Sequence, residues 1–276
     1  MRQDQFKVET IESTHVTPSV TQFTSTRKVM QQHPFKIELI GSKMLTPNVT
    51  ELTFRRSDEL PFTFLAGQFI TFLLPHESGK IVPRSYSLAN SPQEPYKLEI
   101  AIAPVQGGFA THILFNLKIG DRLDCVGPKG RLILQEAERP CQYLLVATGT
   151  GVAPYRSMLP DIAKRLEADA NLKVTLLLGV RYTNDLLYAA DFIAFAEQYK
   201  RFHFRFYISR GAVRSLSYEY SGYVQSAFAS LDLNPMTDLV YLCGNPYMID
   251  DSIKKLEEMG FSPQRIRREK YVSRGV

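Results

Sequence analysis

Cysteine is scarce in this chain: Cys125, Cys141 and Cys243 stand far apart, an odd count with no C-x-x-C pair. That spacing argues against a disulfide framework, a zinc site and a four-cysteine iron–sulfur cluster. No metal is expected, and any iron–sulfur centre the chain serves belongs to a partner. Long apolar runs are missing too. None approaches the roughly 20 residues that span a bilayer, so no membrane span is expected. The N-terminal stretch lacks the apolar core of a secretory signal, which makes cytoplasm the expected compartment. Nor is charge massed: the formal net charge is +5, and basic residues are scattered apart from Arg265, Arg267, Arg268 and Lys270. Such a chain suits an acidic protein partner better than nucleic acid. What is present is an ordinary globular composition, 44% hydrophobic and 22% charged, in 276 residues. That length gives room for two domains with separate cores.

Phe6 to Arg27 realigns in register with Phe35 to Arg56, repeating Phe, Lys, Glu, Ile, Ser, Thr, Pro, Val and Arg positions. One repeat is too few for a solenoid, so a partial duplication of one domain edge is expected. The second copy alternates Phe35, Ile37 and Leu39 with Lys36 and Glu38 and belongs in a sheet. The first copy runs into a Ser/Thr/Gln-rich stretch and is an added hairpin, a partner-binding arm or a loose segment.

Residues 1–34 are therefore read as an extension, and residues 35–138 as a small antiparallel β-barrel. The barrel strands are expected at 35–40, 49–55, 69–74, 84–89, 98–102, 122–126 and 132–134, rich in β-branched and aromatic residues and separated by turn clusters. Helical periodicity appears there once, at 111–117. Residues 139–276 change rhythm, alternating apolar runs at 144–147, 174–179, 204–208 and 239–243 with helix-like text. That alternation predicts an α/β doubly wound parallel sheet, whose ligands gather at the strands' carboxyl ends.

The stretch Tyr143 to Pro154, YLLVATGTGVAP, carries the clearest chemical signal. A strand stops at Thr148-Gly149-Thr150-Gly151, and Pro154 suits the first turn of a helix. Strand, bare loop and helix make an anion cradle, because free N–H groups and the positive end of the helix dipole converge where no side chain intervenes. An ordinary tight connection is the competing reading. In the barrel half, Arg84-Ser85-Tyr86-Ser87 sets a guanidinium beside an aromatic ring, which suits a ligand with both a phosphate and a flat ring system. Gly107-Gly108-Phe109-Ala110-Thr111 offers a second bare loop. A surface Arg–Tyr pair and a hairpin turn are the plainer alternatives.

Taken in order, RSYS, GGFAT, ATGTGVAP and LCGNPYMIDD (Leu242 to Asp251) resemble the ferredoxin–NADP reductase superfamily, over roughly residues 35–272. The phrase CGNP and the run Arg268-Glu269-Lys270-Tyr271 look most like the bacterial ferredoxin (flavodoxin)–NADP reductases. The resemblance implies FAD and NADP(H) as cofactors. By similarity Arg84 would hold the flavin diphosphate, Tyr86 would lie against the flavin, and Ser85 and Ser87 would border it. Gly107, Gly108, Phe109, Ala110 and Thr111 would complete the FAD pyrophosphate site. Thr148, Gly149, Thr150 and Gly151 would take the nucleotide pyrophosphate, with Cys243 and Gly244 near the nicotinamide and Tyr271 shielding the flavin.

Ser87, Cys243 and Tyr271 are thus the expected catalytic residues, moving hydride between nicotinamide and flavin. The implied partner is an acidic one-electron carrier, a ferredoxin or flavodoxin, and the chain is expected to be a monomer. Ser209 and Arg210 at a strand end, with Arg181 and Arg214 nearby, suit a 2′-phosphate, since no acid follows immediately to favour a bare ribose. Rival readings are an oxygenase reductase component, a flavin or ferric reductase, and a redox-silent assembly subunit.

Overall fold

A computed structural model describes residues 33–211 and 218–271; the first repeat copy and Arg214 lie outside the described residues. Twelve strands and four α-helices among them form two sheets in succession. The first six strands are β1 (Phe35–Thr46), β2 (Val49–Arg56), β3 (Phe69–Pro75), β4 (Ile81–Ser87), β5 (Leu98–Ile102) and β6 (Arg122–Lys129), with α1 (Phe109–Phe115) inserted before β6. They pair antiparallel in the order β4-β3-β6-β1-β2-β5. A bridge between Leu88 and Ile100 joins the two ends, so the sheet closes on itself as the expected barrel. The alternation that marks β1 has its cause in this closure. Ile37, Leu39, Phe54, Phe72 and Ile100 point inward and are essentially unexposed, each contributing about 1.5–3 kcal/mol of burial.

The second sheet contains β7 (Gln142–Thr148), β8 (Lys173–Val180), β9 (Phe202–Ile208), β10 (Glu219–Ser221), β11 (Leu239–Gly244) and β12 (Ile266–Lys270), all parallel, in the order β10-β9-β8-β7-β11-β12. Between them come α2 (Ala153–Ala168), α3 (Ala189–Gln198) and α4 (Pro246–Glu258). Separate apolar clusters cover its two faces, one including Leu145, Leu176 and Phe204, the other Leu144, Val146 and Leu242. Burial on both faces is why these strands read as continuous apolar runs rather than alternations. The strand order reverses direction at β7, between β8 and β11. The bare loop after β7 therefore sits at the switch point, where the crevice of such a sheet opens.

Several local expectations are corrected. Arg84 to Ser87 closes β4 rather than opening a strand, because pairing with β3 already begins at Ile81, and Pro83 is tolerated where β4 pairs along one side only. Residues 132–134 form no strand. Leu132 is apolar because it packs with Ala66 into the core of the parallel sheet. The charged strand β12, IRREK, and the three-residue β10 carry too little apolar pattern to be recognised, as edge strands often do.

Candidate active site

The chain's side-chain-poor bends meet at one cleft between barrel and parallel sheet, around a cavity of about 530 Å³. Arg84, Ser85, Tyr86 and Ser87 form one wall, Gly108, Phe109, Ala110 and Thr111 another, and Thr150, Ala153, Glu269, Lys270 and Tyr271 face them from the parallel sheet. The Tyr271 hydroxyl donates to Ser87 Oγ at 2.6 Å, and Ser87 Oγ donates to Glu269 Oε1 at 3.0 Å. Cys243 is fully buried and does not line the cavity; its thiol lies close enough to Tyr271 for the two groups to shift each other's proton affinity. Tyr271, Ser87 and Glu269 thus form one hydrogen-bonded chain, with the buried Cys243 beside it.

Register explains the convergence. Strands β11 and β12 pair in parallel with Cys243 opposite Glu269 and Gly244 opposite Lys270, and Tyr271 N donates to Gly244 O at 2.8 Å. Two residues apart at a strand end, Glu269 and Tyr271 present their side chains to the same side. After β7, Gly149 adopts φ +53, and a side chain there would meet nothing within 4 Å. A Cβ on Gly151 would instead lie 2.5 Å from Cys243 O. The loop is bare in one place to leave space and in another to let two strand ends touch. Thr148 Oγ1 accepts from Asn245 N at 2.9 Å, which fastens the loop to the start of α4.

Gly107 also lies at positive φ with open space above it, and borders a second cavity that shares Val105, Gly108, Phe109 and Thr111 with the first. Arg181, Ser209 and Arg210 sit apart from the main cavity, at the carboxyl ends of β8 and β9. Arg210 N donates to Arg181 O at 2.8 Å, Ser209 Oγ donates to Val180 O at 3.2 Å, and both arginine side chains are exposed.

Comparison with known proteins gives the two sheets their names. Residues 36–133 match an oxidoreductase FAD-binding domain, and residues 145–254 an oxidoreductase NAD-binding domain. Ferredoxin–NADP reductase B of Sorangium cellulosum is 34% identical over 229 residues, covering 79% of this chain and 89% of that one. The chain belongs to the ferredoxin–NADP reductase superfamily. The toluate 1,2-dioxygenase electron transfer component of Pseudomonas putida is 31% identical over 211 residues, which cover 76% of this chain but 59% of that relative. A crystal structure of a ferredoxin NADP+ reductase from Neisseria gonorrhoeae, with bound FAD and NADP, has the same fold. It superposes with a TM-score of 0.74 over 88% of this chain and 99% of its own, at 22% identity.

As a member of this superfamily, the protein is an oxidoreductase with an FAD-binding barrel and an NAD(P)-binding parallel sheet. The residues present fit both groups. Gly107 and Gly149 leave open space above their own backbones, as close approach of a pyrophosphate needs, and Tyr86 and Arg84 both line the main cavity. Burial pushes the Tyr86 phenol up to about 12. Burial likewise raises the Cys243 thiol and the Tyr271 phenol well above their usual ranges, with the Glu269 carboxylate adding to both shifts. Both groups are therefore neutral at physiological pH.

Glu269 is the functional candidate that the sequence reading passed over. Burial raises its carboxyl above the usual range, while the hydrogen bond from Ser87 pulls the other way. Its signal was the Glu-x-Tyr spacing at a strand end, visible only once β12 is placed beside β11. Most of the basic C-terminal run is paired within the chain. Arg267 pairs with Glu138 at 2.5 Å, Lys270 with Asp250 at 2.5 Å, and Arg265 donates to Met236 O, which leaves Arg268 exposed. No helix among the described residues is long and apolar enough to cross a membrane.

Proposed function

We propose that this protein is an NADPH:ferredoxin or flavodoxin oxidoreductase, carrying electrons between a pyridine nucleotide and a separate one-electron carrier. The observation that carries the reading is the junction of Tyr271, Ser87, Glu269 and Cys243 between the two glycine-containing cradles. When bound, FAD exchanges a hydride with the nicotinamide and passes electrons on singly; the protein's share is binding, orientation and electrostatics.

In that role Arg84 and the backbone at Gly107 and Gly108 hold the FAD diphosphate, with Tyr86, Phe109, Ala110 and Thr111 around it. Thr148 to Gly151 receive the nucleotide's pyrophosphate. Ser87 Oγ is oriented by the bonds it gives to Glu269 and takes from Tyr271. Glu269 accepts from Ser87 at Oε1, and burial raises its affinity for a proton beside that hydroxyl. Tyr271 covers Cys243 and keeps water from it until the nicotinamide takes that space. Arg210, with Arg181 alongside and Ser209 beneath, grips the 2′-phosphate, which makes NADPH the preferred nucleotide.

Three dispersed cysteines hold no four-cysteine cluster within these residues, which supports a carrier centre that lies outside them. The test is NADPH-driven reduction of cytochrome c with and without added ferredoxin or flavodoxin. Bound FAD and a carrier-dependent rate support the reading; a purified protein that takes up no FAD, or oxidises no NADPH, ends it. The likeness to an oxygenase electron transfer component favours a second reading, in which the carrier is part of an oxygenase system. Reduction of an oxygenase component in preference to free ferredoxin or flavodoxin would select it.

A further inference from the structure

Away from the reacting junction, the barrel and the parallel sheet are joined by a half-buried charged cluster centred on Arg156, in the first turns of α2. Its Nη1 donates to Ala89 O at 3.2 Å and to Glu99 Oε2 at 2.7 Å, both on the barrel side, while Nε donates to Asp191 Oδ2 of α3 at 2.6 Å. The guanidinium also lies 4.6 Å from the centre of the Tyr188 ring, and the Tyr188 hydroxyl donates to Glu51 Oε2 of β2 at 2.9 Å. The next residue adds a stitch, since Ser157 Oγ donates to Asn90 O at 2.8 Å. Glu51 and Glu99 are nearly buried, so their charges are costly unless paired.

Two features make this cluster more than a surface ion pair. Arg156 stands three residues beyond Ala153 and six beyond Thr150, which line the main cavity, whereas Ala89 and Asn90 follow Ser87 by two and three residues. The cluster therefore ties the start of α2, just after the loop proposed to receive the nucleotide, to the segment just after Ser87. Pro160 lies inside α2 and has no N–H to give to the Arg156 carbonyl. The helix lacks one internal tie at that turn, and the side chains of Arg156 and Ser157 supply external ones. Tyr188 holds its place at φ +54, a left-handed conformation that a non-glycine residue adopts only when its surroundings compensate.

We propose that Arg156 is a positioning residue, whose guanidinium, forked between Ala89 and Glu99 of the barrel and Asp191 of the parallel sheet, sets the spacing of the two cofactor cradles. The proposal rests on the functional reading above. A planar fork with several donors meets these acceptors at once, which a lysine ammonium cannot do in the same geometry. Loosening it lets the nucleotide and flavin rings drift from their mutual register, and a misplacement of about 1 Å costs on the order of 100-fold in rate.

The test uses the FAD-loaded protein and its Arg156→Ala, Arg156→Lys and Glu99→Gln variants. In single-turnover reduction by NADPH, both Arg156 variants slow by about 10- to 100-fold, Lys less than Ala, and the long-wavelength absorbance from stacked nicotinamide and flavin weakens in the same order. Reoxidation of chemically reduced flavin by ferricyanide, which needs no nucleotide in register, keeps its wild-type rate. Equal slowing of both half-reactions, or wild-type reduction and absorbance in FAD-bound Arg156 variants, overturns the proposal. Scanning calorimetry supplies a readout independent of turnover: wild type melts in one transition, and the Glu99→Gln variant, which keeps the side chain's shape, separates it into two. A Glu99→Gln protein that melts like wild type also counts against the proposal. If wild-type flavin is not reduced by NADPH at all, the functional reading fails, and the calorimetry still decides whether Arg156 and Glu99 couple the two halves.

Discussion

At the inner junction, Tyr271 donates to Ser87 and Ser87 to Glu269, with Cys243 buried beside them. At the outer rim, Arg181 and Arg210 meet through backbone only, their guanidinium groups turned to solvent. The two regions solve different problems. A reacting centre of the kind proposed above needs atoms fixed to within a fraction of an ångström, and hydrogen bonding among its side chains provides that. A rim that recognises a mobile phosphate needs charge within reach and gains little from rigidity before the ligand arrives. Disturbing the junction should therefore change rates, and disturbing the rim should change nucleotide choice and salt sensitivity.

The sharpest way to break this comparison is Ser87→Ala. It removes the hydroxyl that both Tyr271 and Glu269 contact, so flavin reduction by NADPH should fall by about 100-fold with FAD retained, measured by stopped flow. A loss below threefold would move the reacting centre elsewhere. Next comes Gly151→Ala. Its Cβ would sit 2.5 Å from Cys243 O, a backbone atom that cannot swing aside, and overpacking of that kind costs about 1–3 kcal/mol. Denaturant unfolding should show that loss, and an unchanged midpoint would mean that β11 and the loop separate freely. At the rim, Arg210→Ala should lower kcat/KM for NADPH by about tenfold, roughly 1.4 kcal/mol, and leave NADH untouched. A parallel fall for both nucleotides would remove Arg210 from 2′-phosphate recognition.

The comparison also explains what the sequence could and could not reveal. The barrel and the parallel sheet were legible because burial imposes period-2 alternation on β1 and continuous apolar runs on β7 and β8. Gly149 was legible because its φ of +53 is a local demand that glycine meets, whereas the demand at Gly151 comes from Cys243 across the sheet and shows only in the fold. Glu269 was not. A charged residue in IRREK looks like any solvated residue until β12 is laid beside β11 and Cys243 falls opposite it. Leu132 misled for the converse reason, being apolar on account of packing between layers rather than membership of a strand. Arg156 was out of reach altogether, since its partners Ala89, Glu99 and Asp191 are brought together only by the folded chain.

The smallest effect, and the finest probe of the inner junction, is the pH dependence contributed by Glu269. Burial raises its folded-state pKa above the unfolded value, with Ser87 opposing, so the folded protein holds that proton more tightly than the unfolded chain. Stability from this source is complete below the unfolded pKa and is lost as pH climbs through the folded one. Glu269→Gln keeps an oxygen to accept from Ser87 but does not titrate. The variant's Tm should therefore gain on wild type as pH rises through that window and hold its lead above it, by about 2–4 °C for each 1 kcal/mol. Melting curves at several pH values give the answer. A lead that shrinks with rising pH would mean that Ser87 stabilises the carboxylate more than burial disfavours it. Glu269 would then be a fixed charge in the junction rather than a place where a proton rests.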